Sequence, residues 1–169
     1  MNDEILEIVN EDGQVTGCAS RDVIHNDKTL LHRVVHLLLF NSKGKLLLQK
    51  RSMSKDVAPG TWDTSVGGHV HPGETIPEAL QREITEELFL TNLNAKSLYT
   101  YIHRNERESE LVSSFTSIYD GSISFNDDEI SEVTFWDTKT ILEHLKTDIF
   151  SDNFKDEFQR YIKFIEDNK

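Results

Sequence analysis

An amphipathic helix with carboxylates on its apolar face dominates the sequence. It is predicted over residues 75–88, with Thr75 as N-cap, Pro77 in the first turn and Glu78 completing a capping box. Because each residue turns a helix by about 100°, the aliphatic side chains gather in one arc: Ile76, Ala79, Leu80, Ile84 and Leu88. Glu83 and Glu87 fall inside that arc, and Glu86 lies at its edge. The helix is therefore expected to pack against the protein with acidic groups on its inner side.

These three glutamates predict a bound divalent cation. A run of acidic residues is usually a solvated surface, but a solvated run would avoid the apolar arc. Like charges one helical turn apart repel each other, and partial burial raises that cost. Arg82 is the one cation within this helix, and it cannot neutralise three carboxylates. Since oxygen ligands suit Mg²⁺ or Mn²⁺, we predict Glu83, Glu86 and Glu87 as metal ligands.

Two glycines, Gly67 and Gly68, precede this helix at a fixed spacing from its glutamates. A Pro72-Gly73-Glu74 turn connects them to the helix. Glycine pairs let the backbone approach a ligand or a metal closely. Together with the glutamates they predict a site at which Gly67 and Gly68 contact the substrate.

Composition indicates one globular domain. The chain has 169 residues, with 37% hydrophobic and 28% charged side chains, which is ordinary for a folded domain. No apolar run approaches the roughly 20 residues of a membrane-spanning helix, so we expect no membrane partner. The acidic, polar start from Met1 to Ile5 does not resemble a secretory signal. The single cysteine, Cys18, cannot form an internal disulfide, and the cytoplasm is the expected location.

The charge of the chain argues against a nucleic-acid polymer as its main partner. The formal net charge is -12, whereas binding to a phosphate backbone depends on clustered Lys and Arg. An acidic protein can still bind a small anion if a metal and a few placed cations supply local positive charge. We therefore expect a small phosphorylated metabolite as the partner. The sequence leaves the oligomeric state open, and a homodimer is one alternative.

The remaining pattern predicts strands followed by C-terminal helices. Turn signals at Asp12-Gly13 and at residues 41–44 each indicate a hairpin. The predicted strands cover residues 4–10, 14–16, 33–40, 45–50, 62–66, 99–102, 111–119 and 132–136, and the predicted helices cover 138–145 and 151–165. Aromatic and aliphatic residues recur at helical spacing in the last helix, which is typical of a core-facing surface.

The glycine and glutamate pattern resembles the Nudix family, whose motif matches here at Gly68, Glu74, Arg82, Glu83, Ile84, Glu86, Glu87 and Leu90. The one departure is Phe89, which stands where the family usually has glycine, and we expect it to change the helix C-cap without loss of chemistry. The resemblance implies an α+β fold, a Nudix-type α/β/α sandwich with a central mixed sheet. It implies one domain over 1–169, with an N-terminal hairpin at 1–20, the Nudix box at 68–90 and C-terminal helices at 138–166.

The same resemblance implies an activity: metal-dependent hydrolysis of a diphosphate linkage in a nucleoside di- or triphosphate, or in a nucleoside-diphosphate-linked metabolite. Catalytic roles fall on Arg82, Glu83, Glu86 and Glu87. Arg82 would orient Glu83, Glu74 would brace the loop, and a backbone carbonyl near Gly67 or Gly68 would join the metal. Glu86 is our choice of general base, with Glu129 as the weaker candidate.

A narrower resemblance, over residues 21–68 and His69, is to type 1 isopentenyl diphosphate isomerase, itself a Nudix-fold enzyme. It implies a second divalent metal site at His25, His32, His69, Glu108 and Glu110. The alternative, that each histidine is a surface or hydrogen-bonded core residue, stays open. Arg51 and Lys55 match residues that contact the diphosphate, and their chemistry suits phosphate, although they could instead solubilise a loop.

Isomerisation is disfavoured because that enzyme needs a cysteine immediately before its Gly-His pair, and this chain has Gly67 there. Cys18 does not match that position. A third alternative is a non-catalytic Nudix module that binds a nucleotide. Such modules tend to lose the motif glutamates, whereas all three are present here, so hydrolysis is the favoured activity.

Overall fold

The computed structural model describes residues 4–169. The first three residues of the N-terminal hairpin predicted at 1–20 lie outside the described residues. The strands are β1 (Ile5–Val9), β2 (Val15–Ser20), β3 (Leu31–Phe40), β4 (Leu46–Arg51), β5 (Trp62–Asp63), β6 (Val66–His69), β7 (Lys96–Arg104), β8 (Ser109–Ile118) and β9 (Ile130–Trp136). The helices are α1 (Arg21–Ile24), α2 (Ile76–Leu88), α3 (Thr138–His144) and α4 (Asp152–Asp167). Within this described part, no helix is both long enough and apolar enough to cross a membrane.

All of these strands join one mixed sheet, with β3 at its centre. Along its whole length β3 runs parallel to β8, and β8 is also paired antiparallel with β7. The opposite edge of β3 is shared by antiparallel partners: β1 at its start, β6 in its middle and β4 at its end. The sheet extends on one side through β2, which pairs with β1, and on the other through β5 and β9, which both pair with β4. The predicted central mixed sheet is confirmed.

Helices cover both faces of the sheet because side chains alternate along its strands. Val35, Leu37 and Leu39 of β3 belong to a core cluster that α2 completes. Leu38 lies on the opposite face, in a cluster with residues of α3 and α4. Phe154 and Phe158 of α4 are fully buried there, so the aromatic stripe is a core-facing surface as predicted. The result is the expected α/β/α arrangement, with the α2 layer carrying the acidic motif.

One predicted strand, over residues 62–66, is wrong in detail: it is two strands, β5 and β6, with Thr64 and Ser65 between them. The buried Ser65 hydroxyl donates to the Leu47 carbonyl at 2.5 Å and accepts from the Leu39 N–H at 2.9 Å. It thereby bridges β3 and β4 where the strand pairing is interrupted. The glycine pair consequently lies inside a strand, β6, that pairs with β3 at Val35 and His36.

Helix α2 begins as predicted. The Thr75 hydroxyl accepts from the Glu78 N–H, and the Glu78 carboxylate accepts from the Thr75 N–H, so the capping box is complete. The helix ends at Phe89, whose N–H donates to the Thr85 carbonyl at 3.0 Å. Phe89 has φ of 55°, in the left-handed region that favours glycine. The phenylalanine thus adopts the backbone conformation of a glycine cap, with its side chain 58% exposed.

Phe89→Gly should therefore stabilise the protein. Removing the β-carbon relieves a left-handed strain of roughly 1–2 kcal/mol, while glycine adds unfolded-state entropy that offsets roughly 0.5–1 kcal/mol of it. We expect a gain of about 0.5–1 kcal/mol in the free energy of unfolding by urea denaturation. Phe89→Ala is the control, because alanine keeps the β-carbon and its strain. Equal stability of the two variants would contradict this reading of the cap.

Candidate active site

A cavity of about 640 Å³ opens between α2, the middle of the sheet and the first turn of α4. It brings together most of the residues that the sequence predicted for the site: His25, Arg51, Lys55, Gly67, Gly68, His69, Arg82, Glu83, Glu86, Glu87, Glu108, Glu110 and Glu129. His32 is not at the cavity wall. It is 1% exposed and lies behind His25 and His69, with ring centroids 5.3 Å from each.

The helical wheel correctly predicted the orientation of the motif glutamates. Ile84 and Leu88 anchor α2 in the core. On the same inner side, Glu83 is 8% and Glu87 is 5% exposed. The side chain of Glu86 is 51% exposed and lies at the mouth of the cavity. Two carboxylates are therefore held out of water by the packing of the helix.

Gly68 is required by the position of Glu83. A β-carbon at residue 68 would lie 2.1 Å from Cδ of Glu83, far inside van der Waals contact. The requirement is one of space, because the carboxylate lies directly over the strand. Gly67 has a different neighbour: a β-carbon there would lie 3.2 Å from Cδ2 of His36. The glycine pair thus makes room for one acidic and one imidazole side chain.

Arg82 is the hub of the motif. Its guanidinium donates to Glu74 at 2.8 Å, to Glu83 at 2.6 Å and to the His69 carbonyl at 2.8 Å. The same Nη1 that contacts Glu83 lies 3.3 Å from Glu86. Glu74 also accepts from the His71 N–H, which ties the loop to the helix. These contacts join the motif helix to the loop that precedes it, and the orienting and bracing roles of Arg82 and Glu74 stay predictions.

Glu87 has a partner that the motif does not contain, Gln49 of β4. The Gln49 amide donates to Glu87 at 2.8 Å, and the Gly67 N–H donates to the same oxygen at 3.4 Å. Burial nevertheless raises the pKa of Glu87 well above its ordinary value. Burial also raises the pKa of Glu83 to about 7, although Arg82 opposes the shift. Both carboxylates need more positive charge than the protein supplies.

The predicted second cluster is compact. His25 Nε2 lies 3.1 Å from His69 Nε2 and 3.2 Å from a Glu108 oxygen. Among residues 4–169, the trios whose potential ligand atoms all lie within 4.8 Å of one another are His25–His32–His69 and His32–Glu108–Glu110. The three α2 glutamates are not among these groups. Arg82 Nη1 lies 2.6 Å from Glu83 and 3.3 Å from Glu86.

The second cluster fits a divalent cation by its chemistry. Burial lowers the pKa of His25 to about 4 and of His32 to about 3, so both imidazoles are neutral and can act as ligands. Burial and the neighbouring Glu110 raise the pKa of Glu108. Both ring nitrogens of His32 and one oxygen of Glu108 are buried without a hydrogen-bond partner in the described part of the chain. Unpartnered buried groups of this kind are costly unless a ligand satisfies them.

The predicted phosphate-binding cations line the cavity but are paired with acids. Arg51 lies 3.2 Å from Asp63, and Lys55 lies 3.3 Å from Glu129. Of the described residues, ten carboxylate side chains and four Lys or Arg side chains line the cavity. A substrate with negative charge would be repelled from such a wall unless divalent cations were bound there.

Several residues of the cavity were not found by sequence reasoning. His36, Gln49 and Asp63 reach it from β3, β4 and β5, and Asn153 reaches it from α4, where its amide donates to Glu110 at 2.7 Å. These residues lie far from the motif in the sequence. Only the strand pairing and the packing of α4 bring them to it.

Comparison with known proteins identifies the family. The NUDIX domain family matches residues 30–158, more than half of the chain, so the chain belongs to this family. An isopentenyl-diphosphate Delta-isomerase from Escherichia coli O127:H6 is 31% identical over 148 residues, 84% of this chain and 81% of that protein. The uncharacterized Nudix hydrolase all7351 from Nostoc sp. is 38% identical over 126 residues, 74% of this chain and 73% of that protein.

A solved structure agrees with these relatives. DR0079 from Deinococcus radiodurans matches with a TM-score of 0.81 at 28% identity, covering 93% of this chain and 98% of that one. The predicted family, its isomerase-like branch and the fold class are thereby confirmed. The predicted enzyme class, a Nudix pyrophosphohydrolase, is confirmed as well.

The raised pKa of Glu83 predicts a pH dependence of stability in protein freed of metal by chelation. A carboxyl whose folded pKa exceeds its ordinary value of 4.5 loses stability as the pH rises from 4.5 to about 7. Glu83→Gln removes this loss, so the variant should gain unfolding temperature over wild type between about pH 5 and pH 8. Glu166→Gln, at the exposed end of α4, is the control. Parallel pH profiles for Glu83→Gln and wild type would contradict the burial of a strained carboxylate.

Proposed function

We propose that this enzyme is a metal-dependent hydrolase that cleaves a diphosphate linkage in a nucleoside di- or triphosphate, or in a nucleoside-diphosphate-linked metabolite. The observation that carries the proposal is the burial of Glu83 and Glu87, with raised pKa values, at the wall of a strongly acidic cavity. Buried carboxylates in that setting are suited to hold a divalent ion. A volume of about 640 Å³ is in the range of small-molecule sites.

Glu83, Glu86 and Glu87 would hold Mg²⁺ or Mn²⁺, with a backbone carbonyl of Gly67 or Gly68. When bound, the ion neutralises the diphosphate and activates water for attack on phosphorus. Arg82 positions Glu83 through their 2.6 Å contact. Glu86 is the most exposed of the three acids and suits the role of general base, which takes a proton from water. Glu129 is the weaker candidate because Lys55 already holds its carboxylate.

A second divalent ion belongs to the same proposal. His25, His32, His69, Glu108 and Glu110 would hold it, and the unpartnered atoms of His32 and Glu108 support this assignment. The alternative of plain hydrogen-bonded histidines is weakened for His32, whose ring nitrogens have no such bond within the described residues. It still fits His25 and His69, which lie within hydrogen-bond distance of each other.

Arg51 and Lys55 would bind the phosphates of the substrate. Each now lies beside an acidic residue, Asp63 or Glu129, so binding would exchange one anionic partner for another. Arg51 also donates to the Val57 carbonyl at 2.9 Å, which fixes its direction. We retain the cytoplasm as the proposed location, since the one thiol of the chain, Cys18, is free and exposed.

Isomerisation of isopentenyl diphosphate is the second candidate, favoured by the relative from Escherichia coli, which bears that name. The cavity weighs against it. Gly67 offers no acid or base at the position where that enzyme has its cysteine. Cys18 is exposed on β2 and does not line the cavity. Product analysis with isopentenyl diphosphate distinguishes the two: dimethylallyl diphosphate would favour isomerisation, and release of phosphate or pyrophosphate from other substrates favours hydrolysis.

The substrate class is tested with a panel of nucleoside di- and triphosphates, nucleotide sugars and dinucleotides in Mg²⁺ or Mn²⁺. Release of phosphate or pyrophosphate is followed, with chelated enzyme as the blank. We expect metal-dependent turnover of at least one member. Absence of turnover across the whole panel with both metals would contradict the proposed function.

On the best substrate of that panel, Glu86→Gln and Glu87→Gln should each lower kcat/KM by roughly 10²–10⁴-fold, because each removes a charge used in the reaction. The fold should be kept, since glutamine has nearly the same shape and the new amide oxygen at position 87 could still accept from Gln49. Glu143→Gln, on the exposed side of α3, is the matched control and should behave as wild type. Wild-type rates in the α2 variants would show that the assigned roles are wrong.

A further inference from the structure

His36, on the central strand, contributes a group to the cavity that the proposed metal sites do not use. It is 7% exposed and lines the cavity beside the glycine pair. A β-carbon at Gly67 would lie 3.2 Å from its Cδ2 and 3.5 Å from its Nε2. Because residue 67 has no side chain, this edge of the imidazole is left uncovered. Nδ1, on the other edge, is buried and directed toward α4.

Behind His36 lies the buried carboxyl group of Glu157. Glu157 of α4 is fully buried at 0% exposure. One of its oxygens accepts from the Ser114 hydroxyl at 2.6 Å and lies 3.8 Å from His36 Nδ1. Its other oxygen has no hydrogen-bond partner in residues 4–169. Among those residues, His36 is the partner with which Glu157 forms an ion pair. The two side chains therefore depend on each other for charge compensation.

Three carboxylates act on the His36 ring, those of Glu157, Glu110 and Asp63. Burial alone would lower the pKa of His36, but Glu157, together with the charges of Glu110 and Asp63, outweighs it and raises the pKa. Glu110 and Asp63 have other partners, Asn153 and Arg51. Burial and the charge of Glu157 also raise the pKa of Tyr101, which keeps that neighbouring phenol neutral.

The other cations of the cavity face acids of the protein. Arg51 is paired with Asp63, Lys55 with Glu129, and Arg82 with acids of the motif. His36 differs, because its Nε2 makes no hydrogen bond to any described residue while its Nδ1 is turned to Glu157. A ring nitrogen that lines the cavity without a partner, on a ring whose other nitrogen lies 3.8 Å from Glu157, is placed to meet a ligand.

We propose that His36 is a substrate-binding residue whose Nε2–H donates to a phosphate oxygen of a diphosphate lying over Gly67, with Glu157 and Ser114 as the residues that position it. The inference rests on the proposed function and deepens it: it assigns a hydrogen-bond donor that meets the diphosphate. It also gives Gly67 a reason, since any side chain there would cover the donor.

Imidodiphosphate with Mg²⁺ is the probe, because it is a diphosphate that resists hydrolysis and its binding can be measured by calorimetry without turnover. His36→Gln removes the ring that holds the donor in place and should weaken binding about tenfold, as expected for loss of a hydrogen bond to a charged phosphate. His144→Gln, the same change on α3 away from the cavity, should leave the Kd unchanged. A Kd for His36→Gln equal to that of wild type would overturn the proposal.

Glu157→Gln tests the positioning role. It should weaken binding several-fold in the wild-type background and have no effect in the His36→Gln background, because its influence passes through the imidazole. A merely structural glutamate would lower the unfolding temperature and leave the Kd alone in both backgrounds, which would overturn the assignment of Glu157. Equal weakening in both backgrounds would overturn it too.

Gly67→Ala provides a variant in which both His36 and Glu157 are retained, with a methyl group 3.2 Å from Cδ2 of the imidazole. Its methyl group covers the Nε2 edge and should weaken binding by a similar factor, and an unchanged Kd would contradict the proposal even if His36→Gln failed to fold.

Failure of the proposed function can be distinguished from failure of this inference. If wild type bound imidodiphosphate but turned over nothing in the substrate panel, hydrolysis would be wrong while the binding role of His36 stood. If wild type did not bind the probe, the diphosphate site itself, and with it the role of His36, would be wrong.

Discussion

Glu83 and Glu87 are buried on the same face of α2 that packs Ile84 and Leu88 into the core. The apolar side chains fix the rotation of the helix, and the rotation forces both acids into the protein. Partial burial of two carboxylates one turn apart is costly without compensating charge. Arg82 supplies part of that charge and also ties the helix to the preceding loop. A divalent ion would supply the rest of the compensating positive charge, and the proposed chemistry depends on that ion.

Residues of the sheet accommodate the two buried glutamates and line the cavity beside them. Strand β6 carries Gly68 where a β-carbon would collide with Glu83. Strand β4 presents Gln49 to Glu87, and β3 presents His36 from its centre. Helix α4, which covers the opposite face with Phe154 and Phe158, also supplies Glu157 behind His36. The packing of the outer layer and the chemistry of the cavity are therefore linked through one buried ion pair.

The motif could be predicted because its residues are neighbours on one helix. Helical periodicity predicted that Glu83 and Glu87 face the protein interior. Local capping rules predicted Thr75 as the N-cap of α2. Gln49 and His36 could not be predicted in the same way, because the register between strands decides which residues of β3 and β4 meet the helix. The break at Thr64 and Ser65 depends on a serine that bonds across two strands. Phe89 keeps a glycine-like backbone conformation that its identity argues against.

The central claim is that a divalent ion is held by the inward glutamates of α2. Anomalous diffraction from crystals grown with Mn²⁺ tests it most directly, since it locates the ion independently of any substrate. We predict a manganese peak bounded by Glu83, Glu86 and Glu87, with Arg82 still bonded to Glu83. A second peak among His25, His32 and His69 would show the other site. Absence of a peak at α2 would contradict the account.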